Sequence, residues 1–71
     1  MPTSEIHAIE FHKKNYPLER AKQWIKKHNY KVGIIHEKIH TLWFNQTPKQ
    51  RYKYFIKKNI KRGINLVLGY Y

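Results

Sequence analysis

Only one stretch of this chain has a clear helical period, residues 17–29 (PLERAKQWIKKHN), and any fold must be arranged around it. Leu18, Ala21, Ile25 and His28 recur along one side, and Trp24 widens the same stripe. Glu19, Lys22, Gln23, Lys26 and Lys27 fall on the opposite side, so the segment predicts an amphipathic helix with a single face to bury. Such stripes are as a rule core rather than a partner-binding face. Pro17 suits a first-turn position, where a missing N–H costs nothing and φ is already helical. Asn29 suits the end, because asparagine enters the left-handed conformation at low cost.

The rest of the chain must cover that stripe. With 71 residues and no cysteine there is one domain, no disulfide and no thiolate metal site, so the core has to come from Phe11, Trp24, Phe44 and the aliphatic residues. Residues 1–5 read as a loose end and residues 6–71 as the domain. In residues 6–12 (IHAIEFH), strict alternation puts His7, Ile9 and Phe11 on one side and Ile6, Ala8 and Glu10 on the other. Residues 30–38 (YKVGIIHEK) and 41–46 (TLWFNQ) are rich in β-formers and read as a hairpin turning near Ile39 and His40. Pro48 ends that pattern, since it cannot donate to a ladder, and residues 49–53 form a basic connection. Residues 54–60 (YFIKKNI) and 64–70 (INLVLGY) make the clearest hairpin, joined by Lys61, Arg62 and Gly63. In the last strand Ile64, Leu66, Leu68 and Tyr70 share a side, and Asn65, Val67 and Gly69 share the other. The order β-α-β-β-β-β predicts an α+β fold, a four- or five-stranded mainly antiparallel sheet with one helix across one face.

Charge gives the strongest indication of function. Fifteen Lys and Arg stand against four Glu and no Asp, a formal +11, and no acidic residue follows Glu37. Unbalanced charge of this size opposes compaction and points to a polyanionic partner, nucleic acid first and an anionic membrane or acidic protein next, with a solvated lysine surface as the plain alternative. Lys49, Arg51, Tyr52, Lys53, Tyr54, Lys57, Lys58, Lys61 and Arg62 interleave cations with aromatic rings. Cations neutralise phosphates and release counterions, while ring faces stack on unpaired bases. If Leu42 and Phe44 face the helix, Trp43 is displayed on the open face of the sheet and joins this candidate DNA- or RNA-binding set.

Catalysis finds little support in the same residues. His36-Glu37-Lys38-Ile39-His40 spells the H-E-x-x-H string of zinc peptidases, which requires a helix to bring both imidazoles together. In a strand the two would stand about 13 Å apart at ~3.3 Å per residue, and no third ligand follows His40. Ser4 is the only serine, and no aspartate exists to orient a histidine. Glu10 reads as a surface charge beside Lys13 or Lys14. The glycines are isolated, with no phosphate-cradling loop, so no cofactor, catalytic residue or metal ligand is expected.

Ile9-Glu10-Phe11-x-Lys13, Ala21-x-x-Trp24-Ile25-Lys26-Lys27-His28, Leu42-x-Phe44, Phe55-Ile56 and the ending Gly63-Ile64-x-Leu66-Val67-Leu68-Gly69-Tyr70 together resemble a small α/β module. That module occurs in uncharacterised open reading frames of large DNA viruses and bacteriophages, and in segments of phage head-maturation and assembly proteins. The chain departs from it at Pro17, where such sequences carry a capping Thr or Ser, and at Trp43 and Asn45, where they often carry Arg-x-Arg. The resemblance implies a viral protein with a role in a particle or on a genome, and transfers no activity and no site. The expectation is thus a small basic nucleic-acid-binding protein, inside a host cell or a virion, with no signal peptide and no membrane span. The alternative is a virion assembly component docking on acidic protein surfaces. Two sheet edges in so small a domain also allow a homodimer by strand pairing.

Overall fold

The computed structural model describes residues 4–47 and 52–71. Its elements are β1 (Ser4–His12), α1 (Leu18–Lys27), β2 (Ile35–Glu37), β3 (Thr41–Asn45), β4 (Tyr54–Lys61) and β5 (Ile64–Tyr70). The five strands form one antiparallel sheet in the order β2-β3-β1-β5-β4, and α1 packs on one face. This is the α+β architecture expected from the sequence, with β1 beginning at Ser4, inside the stretch read as a loose end.

Helix α1 begins without a side-chain cap. Pro17 is the capping residue itself, in an extended conformation (φ −63°, ψ 165°), one position earlier than expected. Its carbonyl still accepts the first ladder bond, from Ala21 N–H at 3.0 Å. Glu19 in the first turn and Lys26 and Lys27 in the last complement the helix dipole. The helix stops where Asn29 turns left-handed at φ 61°. Asn29 N–H then donates to Lys26 O at 3.1 Å and Tyr30 N–H to Ile25 O at 2.9 Å, which satisfies carbonyls that otherwise have no helical partner.

The buried stripe meets the three central strands. Ala21 and Ile25 from α1 close over Ile9 and Phe11 of β1, Leu42 and Phe44 of β3, and Ile64 of β5. Phe11 is the centre of this core, fully buried, with the rings of Tyr16, Trp24 and Phe44 at 5.4–5.6 Å between centroids. Ile6 packs against the same cluster, although alternation placed it on the other face with Ala8 and Glu10. A β-bulge in β1 explains the correction. Ile6 pairs with Leu68 and Ala8 with Val67, so His7 is an extra residue and the side-chain parity of β1 flips there. His7 accordingly turns to the open face, against the rings of Tyr52 and Phe55.

Two further departures have local causes. The strand expected over residues 30–38 is reduced to Ile35–Glu37. Tyr30 N–H is taken by the helix end, and the side-chain amide of Gln46 both accepts from Lys31 N–H and donates to Lys31 O, at 2.8 and 2.9 Å. One side chain therefore does the pairing that a ladder would have done. In β4 a second irregularity between Asn59 and Lys61 leads into the turn, where Gly63 takes φ 81°, a conformation costly for any residue with a Cβ.

With so small a core, Phe11→Ala should remove ~3–5 kcal/mol, most of the stability of a domain this size. Urea denaturation followed by circular dichroism should show the variant largely unfolded in buffer alone.

Candidate nucleic-acid interface

On the face away from α1, the register aligns one residue from every strand. His36, Trp43, Glu10, Asn65 and Asn59 lie side by side across β2, β3, β1, β5 and β4. Hydrogen bonds tie the row together. Trp43 Nε1–H donates to Glu10 Oε2 at 2.7 Å, Asn65 Nδ2 to Glu10 Oε1 at 2.9 Å, and Asn59 Nδ2 to Asn65 Oδ1 at 3.0 Å. Glu10 is not the surface charge expected beside Lys13 or Lys14. It is only 4% exposed, and its ion-pair partner is Lys57, with Nζ at 3.1 Å. Lys13 instead pairs with Glu37 at 2.8 Å. Burial pushes the Glu10 carboxyl up, but the hydrogen bonds from Asn65, Lys57 and Trp43 outweigh it and hold the acid below its ordinary value.

Trp43 is thus on the open face, as alternation indicated, with its indole edge anchored and half-buried. Two cations lie over its ring, Lys38 Nζ at 4.1 Å and Lys57 Nζ at 5.3 Å from the centroid. At the far end of the same face Tyr52 lies over Gly69, where a Cβ would come within 2.6 Å of its ring. Tyr52 Oη donates to Glu5 and also meets Thr47 Oγ1 at 3.1 Å. Hydrogen bonds from Tyr52 and Tyr71 hold the Glu5 carboxyl low. In return the Tyr71 hydroxyl is pushed up to about 12, first by its bond to Glu5. Tyr52 is therefore built into the structure, with its ring packed edge-on against His7 and Phe55.

The basic cluster read from the sequence is divided by the sheet. Lys57, opposite Val67, faces Trp43. Lys58, opposite Leu66, and Lys61, opposite Ile64, belong to the helix side, and Arg62 lies in the turn. Tyr54 is also on the helix side, exposed and stacked on Tyr70 with centroids 4.9 Å apart. Lys53 N–H donates to Tyr70 O, so this residue precedes β4 at the same end. Lys49 and Arg51 lie outside the described residues. Two cations that the sequence reading left out of the site join it from α1. Arg20 and Lys27 share a helix flank with Gln23 and Trp24, and that flank looks across at Lys61. Their spacing over two turns was the available signal.

The H-E-x-x-H string sits on β2 and the following turn, not on a helix. Among the described residues no three His, Asp or Glu side chains converge as a metal site, and no helix is long and apolar enough to cross a membrane.

Glu10→Gln should destabilise the protein by ~1–3 kcal/mol near neutral pH, by leaving buried donors imperfectly matched. Because the Glu10 acid is depressed on folding, its contribution is present above the unfolded carboxylate value and lost as pH falls through the folded one. The stability gap between wild type and variant, from urea midpoints, should therefore close as pH falls below about 4.5. Comparison of the chain with known protein families, with curated proteins and with solved structures finds no match.

Proposed function

We propose that this is a small, basic, non-enzymatic protein that binds nucleic acid, with Lys and Arg on the sheet and on the β4–β5 hairpin contacting phosphates. The observation that carries this reading is the fate of the carboxylates. Glu10 is buried under three donors, Glu5 is tied to Tyr52 and Tyr71, and Glu37 is paired with Lys13. Among the described residues only Lys13 and Lys57 form an ion pair, so nearly all of the positive charge is left facing outward. Glu19 stays exposed on α1, but a surface with so few uncompensated anions attracts an external polyanion, and phosphate neutralisation supplies the affinity. Trp43, fixed at its edge with Lys38 and Lys57 over its ring, would add a stacking contact once those lysines turn to phosphates.

A second reading, a viral assembly component that docks on acidic protein, is favoured by one feature. All eight residues of β4 are exposed, and among the described residues its outer edge has no neighbouring strand. A partner strand could add there. Self-pairing into a homodimer would bring Lys57 and Lys58 close to their own copies near the middle of the edge, so an acidic strand suits it better.

Fluorescence anisotropy with labelled DNA and RNA across a salt series tests the first reading. Binding at low salt that weakens linearly in log–log form, by about 0.7–0.9 per phosphate contacted, is expected. Absence of binding to any nucleic acid at low salt would overturn it in favour of a protein partner.

A further inference from the structure

The helix covers β3, β1 and β5 but stops short of β4, and this leaves a trough on its own side of the sheet. The α1 flank of Arg20, Trp24 and Lys27 forms one wall and Lys61 of β4 the other, and the remaining helix-side residues of β4 continue the line along the strand. Two adjoining open hollows mark its upper end, one between Tyr16, Arg20, Lys61 and Arg62, the other running on to Trp24 and Lys27. No carboxylate among the described residues lines either hollow. Arg20 already lies over the Tyr16 ring, 5.4 Å from its centroid. Following β4 away from the turn, the helix-side residues change from cationic to apolar: Lys61, Lys58, Ile56 and then Tyr54, stacked on Tyr70. Ile56 and Tyr54 are 44% and 53% exposed, although both belong to the face that is core elsewhere in the sheet.

Resting on the nucleic-acid reading, we infer that this trough, rather than the open face, is the main binding track and that its ligand is a single strand. The chemistry selects the occupant. Cations on both walls without a carboxylate favour an anion, and the hollows are too open to enclose a small one. Exposed ring and aliphatic surface at the same trough's lower end requires something flat and apolar on that anion. An unpaired strand offers both, phosphates to Arg20, Lys61 and Arg62 and bases to the Tyr54 ring. A duplex hides its base faces and would leave Tyr54 and Ile56 uncovered.

Two variants with the same change of charge separate this from a diffuse effect. Arg20→Ala/Lys61→Ala/Arg62→Ala strips the trough. Lys22→Ala/Lys26→Ala/Lys31→Ala removes three cations elsewhere, none of which lines the hollows. Both are checked for folding by circular dichroism and titrated against a labelled thymidine oligonucleotide. The trough variant should bind at least ~30-fold more weakly, with the salt slope reduced by about 2, as expected for three lost phosphate contacts at ~0.7 each. The second variant should lose ~3-fold or less. Tyr54→Ala, which leaves charge intact, should cost ~5-fold or more on the single strand, the lower end for one stacked base, and nothing on a duplex.

Equal losses in the two triple variants, or a Tyr54→Ala protein that binds normally, would overturn the trough while leaving nucleic-acid binding in place. Tighter binding to duplex than to the single strand would overturn the choice of ligand. Displacement of the oligonucleotide by polyglutamate at equal charge concentration would give the trough to an acidic protein. If the wild type binds no nucleic acid at low salt, the broader reading itself fails.

Discussion

One helix cannot roof five strands. A sheet of this width spans about 19 Å between its outer strands, whereas a helix with its side chains is only about 10–12 Å across. Here α1 is spent on the middle three strands, where Phe11, Phe44, Ile9, Leu42 and Ile64 give the core its volume. Among the described residues the outermost strand β4 then pairs with β5 alone, and it is exposed along its whole length. The trough and the free edge both follow from that mismatch in widths. Among the described residues there is no second helix to correct it.

The opposite face solves a different problem. A sheet with no helix on one side must keep its surface ordered without a second core. The solution here is a buried carboxylate that collects three donors, Trp43 of β3, Asn65 of β5 and Lys57 of β4, with Asn59 donating in turn to Asn65. Beyond it, Ala8 and Val67 lie between this row and the cluster of His7, Tyr52 and Phe55, and are buried. Polar ordering and apolar burial thus alternate along the strands. The side effect is electrostatic, since the buried Glu10 is taken up by the sheet and, among the described residues, pairs directly with Lys57 alone.

Much of this was legible in the sequence. The helix was fixed by its stripe, the β4–β5 hairpin by Gly63, and the side of Trp43 by its apolar neighbours Leu42 and Phe44. The failures share a cause, which is that non-local partners decide. Nothing in IHAIEFH marks His7 as a bulge, because the extra residue is defined only by which residues of β5 it skips. Residues 30–34 have the composition of a strand, but a glutamine at position 46 competes for their backbone. Glu10 finds its cation 47 positions away, not three. The splitting of Lys57 from Lys58 is different: adjacent residues in a strand must point apart, so it was readable from alternation alone. Treating a run of charges as a patch overlooked the pleat.

The two tryptophans lie on opposite sides of the sheet. Trp24 stands on the helix side, stacked with His28 and Tyr30, and Trp43 on the open side above Glu10. The molecule therefore carries one intrinsic fluorophore per face, each in a distinct polar setting. With a single-tryptophan variant for each side, emission and quenching become a map of orientation. Any partner, whatever its chemistry, will report which side of the sheet it has covered.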